Sequence, residues 1–140
     1  MPLKGGDAHA VSAYRGAMSH PPDPAFLRDA SQPYPLGYAR DRMLEAVCAF
    51  PAARDSDVRE ALVGYTARVA GDCARRADEL GLLLQAEVFR RFAAALLQEP
   101  TGDQISVERA GVYHAILEHA YSEDALSRID PLLGVLDRTP

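Results

Sequence analysis

The sequence predicts an all-α protein, a single-domain bundle of four to five main helices preceded by a Pro-rich arm with short helical pieces. Three observations predict it. Apolar residues recur at helical spacing along most of the chain after residue 37, and no segment alternates with the two-residue period of a strand. Six of the ten prolines (Pro2, Pro21, Pro22, Pro24, Pro33, Pro35) fall in the first 35 residues. A length of 140 residues matches one domain. The composition shift divides the chain into an N-terminal arm over 1–37 and a helical bundle over 38–140.

Within the arm, Val11, Tyr14, Arg15 and Met18 follow helical spacing, with Asp7 available as a cap, which predicts a short helix over 8–18. Asp23 followed by Pro24 places an N-cap before proline at the first helical position and predicts one turn carrying Phe26 and Leu27. Ser31 to Gly37 reads as extended, because a residue before proline avoids α geometry.

The body opens with a helix over 38–50, stopped by Pro51. Asp57 with Glu60 three residues on has capping-box character and predicts the next start. From there Val58, Leu62, Tyr65, Val69, Cys73, Ala77 and Leu80 form one apolar stripe of helical period, up to Gly81. Leu82–Gln98 forms the next helix, with Leu84, Val88, Phe92 and Leu96 inward. Residues 99–103 read as a turn. Ser106 caps a helix over 107–121, Ser122 to Asp124 start another to about residue 129, and Asp130-Pro131 restarts a last turn.

Charge and composition exclude several functions. A net charge of −5 argues against a nucleic-acid partner, since binding a phosphate backbone needs a basic face that releases counterions. A helix-turn-helix over 102–121 would offer only Arg109 as a cation, against Glu108 and Glu118. No apolar run approaches the ~18 residues of a membrane span. The start, Met-Pro-Leu-Lys-Gly-Gly-Asp, lacks the apolar core of a secretory signal, so the expected location is cytoplasmic. Arginine supplies 14 of the 15 cations and alanine appears 24 times, a usage that fits a GC-rich bacterial genome. Cys48 and Cys73 lack CxxC spacing and are expected as reduced, buried side chains.

No catalytic constellation emerges. There is no GxSxG, no HExxH and no strand-linked glycine loop, so neither an enzyme nor a cofactor is expected. The densest group of metal-type side chains is His114, Glu118, His119 and Glu123. On a helix His114 and His119 lie about 140° apart, flanking opposite edges of the apolar stripe, so one ion cannot join them within a subunit. Each has a glutamate four residues on, which makes either a helix-stabilising pair or half of a metal or ligand site. Arg75, Arg76, Arg90 and Arg91 would form an anion patch on two antiparallel helices. Several acids precede arginines by four residues, the favourable order for solvated ion pairs instead.

Tyr14, Met18, Phe26, Tyr34 and Tyr38 remain. They lie in or next to an arm too rich in proline to build its own core, and tyrosine suits a surface with one apolar and one wet side. They are expected either to cover the chain's own body or to form an interface with a second copy or a protein partner. The resulting expectation is a cytoplasmic interaction or regulatory module, a homodimer working by surface recognition, with a metal- or ligand-binding bundle as the alternative.

Overall fold

The computed structural model describes residues 36–100 and 102–138. The predicted arm residues Tyr14, Met18, Phe26 and Tyr34 lie outside them. Five α-helices, α1 (Leu36–Ala49), α2 (Ser56–Glu79), α3 (Leu83–Leu97), α4 (Val107–Glu118) and α5 (Ala125–Arg138), make an all-α bundle, with no strand among the described residues. The most extensive packing is between α2 and α3; α1 lies on α2 and α4, and α5 on α3 and α4.

α1 starts at Leu36, so Leu36 and Gly37 are helical rather than extended. Proline restricts the residue before it, here Tyr34, and leaves the residues after it free to enter a helix. At the other end a 3-10 turn over Phe50–Ala52 seats Pro51 at its first turn, where the missing N–H costs no helical bond.

The cap of α2 is Asp55, two residues before the predicted one. Its carboxylate accepts from the backbone N–H of Asp57 at 2.8 Å and of Val58 at 3.2 Å. Asp57 then falls in the first turn, where a negative charge opposes the helix dipole favourably. Arg59 is buried and donates from Nη1 to the Ala53 carbonyl at 2.9 Å.

Gly81 breaks the 57–98 segment. Its φ of 77° is the left-handed conformation that glycine adopts without a Cβ penalty. Gly81 N–H donates to Asp78 O at 3.0 Å and Leu82 N–H to Ala77 O at 2.8 Å, the paired bonds of a Schellman stop. The stripe from Leu62 to Ala77 is buried as expected, but the turn carries Leu80 out into solvent.

Ser106 caps α4, accepting from Arg109 N–H at 3.1 Å, but the helix stops at Glu118 with His119 as C-cap, three residues early. The predicted break at Asp130-Pro131 is absent: α5 is continuous, with Pro131 inside it. Proline there removes the bond to the Ser127 carbonyl. Both residues are exposed, so that carbonyl can turn to water.

The core is aromatic at its centre. Tyr113 meets Phe50 edge-on at 6.2 Å and Phe92 at 5.8 Å, and Met43, Leu96, Ile116, Leu117 and Ile129 close around them. Neither cysteine is in a disulfide; Cys73 is buried as expected, whereas Cys48 is exposed, because the α1 position it occupies faces away from the core.

Candidate functional site

Two places among the described residues bear on function. The first is the tip of the α2–α3 hairpin. Leu80, Leu82 and Leu83 are 49%, 39% and 67% exposed. They are there because the Schellman stop ends α2 before Leu80 turns inward and α3 does not begin until Leu83. Three exposed leucines within four residues form an apolar knob. Ion pairs rim it: Arg76 with Glu79 at 3.0 Å, and Arg90 with Asp78 at 2.8 Å across the hairpin.

That rim contains the predicted anion patch, and the geometry takes its charge away. Arg75 pairs with Asp72 at 3.1 Å, and Arg91 with Glu87 at 2.9 Å and with Asp130 of α5 at 2.8 Å. The hydrogen bond from Arg91 holds the Glu87 carboxyl below its usual range, with Arg90 adding to it. Arg75, Arg76, Arg90 and Arg91 thus face five carboxylates (Asp72, Asp78, Glu79, Glu87, Asp130), which leaves no net positive surface for an anion.

His114 Nδ1 lies 3.2 Å from Glu118 Oε1, the i,i+4 pair expected on the helix. No ion pair joins His119 to Glu123 among the described residues, because α4 ends at Glu118 and Glu123 follows in the next turn. Among the described residues no group of three or more His, Cys, Asp or Glu side chains could hold a metal ion. Cys48 sits near Glu118 and Glu45; partial desolvation by its surroundings first, and then these two carboxylates, push its thiol up, which favours the unreactive protonated form.

The second place is one that the sequence reading missed. Glu99, read as part of a turn, is only 8% exposed. Tyr113 donates its hydroxyl proton to Glu99 Oε2 at 2.5 Å. Arg109 donates to the same carboxylate from Nε at 3.2 Å and also from Nη2, and from Nη1 to the Leu136 carbonyl at 3.1 Å. The cluster ties the end of α3, the start of α4 and the end of α5 together. Burial, reinforced by Glu99, pushes the Tyr113 hydroxyl far above its ordinary value, and the bond to Glu99 raises Arg109. Beside the cluster is a pocket of about 290 Å³, lined also by Gln98, Asp103, Gln104 and Asp137. A trace of this was present in the spacing: 92, 96 and 99 continue the buried face of α3, and Arg109 precedes Tyr113 by one helical turn.

Of the predicted interface residues only Tyr38 is among those described. It is 55% exposed on α1, near Arg40, which stacks over the Tyr121 ring at 4.9 Å. No described helix is long and apolar enough to cross a membrane. No family model, curated protein or solved structure matches the chain.

Proposed function

We propose that the chain is a protein–protein interaction or regulatory module of the bacterial cytoplasm, working through a homo-oligomer or partner surface rather than through chemistry. The observation that carries this reading is the leucine knob at the α2–α3 tip. An apolar centre with a rim of paired charges is the anatomy of a protein interface. The aromatic residues of the arm, Tyr14, Phe26 and Tyr34, point to the same use on sequence grounds.

Native mass spectrometry over a concentration series tests it, with the wild-type chain beside a Leu80→Glu/Leu83→Glu variant. The wild type is expected to form reversible multiples of its 15.2 kDa mass, and the variant to stay single. Identical mass distributions for the two would refute the reading.

A second reading, a bundle that binds a small ligand, is favoured by the pocket beside Glu99. It predicts a non-covalent adduct in the native spectrum that disappears on denaturation. His114/Glu118 and His119/Glu123 would then serve as polar groups only if the adduct is lost in a His114→Ala/His119→Ala variant.

A further inference from the structure

We infer that the pocket of about 290 Å³ beside Glu99 binds a small organic cation rich in N–H donors, an amine or a guanidine, with Asp103 and Asp137 as its charge partners. This rests on the second reading above, in which the pocket holds a ligand, and adds the class of that ligand. A cavity of this volume stands at the lower end of ligand pockets, ~300–1,000 Å³, so the occupant is small. Its sign follows from the wall. Three lining carboxylates, Glu99, Asp103 and Asp137, face one guanidinium, Arg109. Arg109 and the Tyr113 hydroxyl are both spent on Glu99, and Gln104 Nε2 donates to the Pro51 carbonyl, so the wall keeps few donors for an anion. Asp103 and Asp137 are exposed at the rim, and no ion pair holds either of them among the described residues. Arg138, next to Asp137, lies over Gly134 and does not line the pocket.

The helices add to this field. α3 and α5 both finish at the pocket, at Leu97 and Arg138, and a helix C-terminus carries partial negative charge. The positive start of α4 opposes them, but Ser106 caps it and Glu108 stands in its first turn. The molecule also holds a precedent for the ligand. Arg109 sets its own guanidinium against the Glu99 carboxylate and, at 3.1 Å, the Leu136 carbonyl at the end of α5. A carboxylate with a helix-end carbonyl therefore already receives a guanidinium here, and Asp137, directly after Leu136, offers a carboxylate at that same helix end to a second cation. A metal ion fits less well, since no group of three or more His, Cys, Asp or Glu side chains among the described residues could hold one. Ala95, Pro100 and Leu136 give the wall an apolar side for the body of an organic cation.

The test is a nitrogen–proton correlation NMR titration of the full-length chain with three probes of one shape and different charge: benzamidinium, benzamide and benzoate. Benzamidinium is expected to move the backbone amide signals of Gln98, Gln104 and Asp137 saturably, and the neutral and anionic probes to leave them in place. Asp103→Asn/Asp137→Asn should weaken benzamidinium binding about tenfold. Both side chains are exposed, so the variant keeps the fold, which unchanged signals elsewhere in its spectrum report. Benzamide or benzoate moving the same signals as strongly as benzamidinium, or an undiminished affinity in the variant, would overturn the inference while the pocket stands as a ligand site. No movement with any of the three probes removes both.

Discussion

Tyr113 and Glu99 share a proton contact of 2.5 Å inside the bundle, where Tyr113 is fully buried and Arg109 holds the other side of the same carboxylate. The contact joins the aromatic centre of the core to the one buried acid among the described residues. Removing a member leaves the others buried without their partner.

Tyr113→Phe is expected to destabilise the fold by about 2 kcal/mol, because the buried Glu99 carboxylate loses the hydroxyl donor it is bonded to. Arg109→Leu should cost more, about 3–5 kcal/mol, since it leaves the buried charge uncompensated. Urea unfolding of both single variants and the double variant checks this; strictly additive losses would mean the three groups do not act as a unit.

Alkaline pH should destabilise the protein through the same tyrosine. Its folded-state value lies above the ordinary one of about 10, so the folded chain holds a proton that the unfolded chain releases. The stabilisation is complete below pH about 10 and falls away as pH rises above it. Tyr121, pushed up to about 12 mainly by burial, adds a second component of the same sign. Thermal melts between pH 8 and about 11.5 should show a decline that is shallower in Tyr113→Phe; equal slopes would count against this account.

Pro131→Ala should stabilise α5. It restores a donor to the Ser127 carbonyl and removes a helix-interior proline, a gain of about 1–3 kcal/mol. An unchanged or lower melting temperature would mean that proline restricts the unfolded chain as much as it strains the helix.

At the hairpin tip, Gly81→Ala should cost about 1 kcal/mol through its φ of 77° alone, since a Cβ there meets no atom within 4 Å. A loss far beyond that in thermal unfolding would point to a packing contact at the tip.

The helical class, a count of four to five main helices and most inward faces were legible in the amino-acid order. Helical period reports burial directly when a helix has one side in the core, as the stripe from Leu62 to Ala77 does. Helix boundaries with their own local chemistry, the stops at Pro51 and Gly81 and the cap at Ser106, were legible too. What required the tertiary structure was every feature set by residues distant in sequence. Asp130 meets Arg91 from 39 positions away, which turns an apparent cationic patch into a neutral brace. Glu99 and Arg109 become a buried pair only because the connection between α3 and α4 folds back beside the end of α5. A carboxylate in a turn-like stretch carries the same local signature whether water or an arginine satisfies it. Propensity and periodicity describe how a segment relates to its neighbours in the chain, whereas the partner of a charge depends on how whole helices pack.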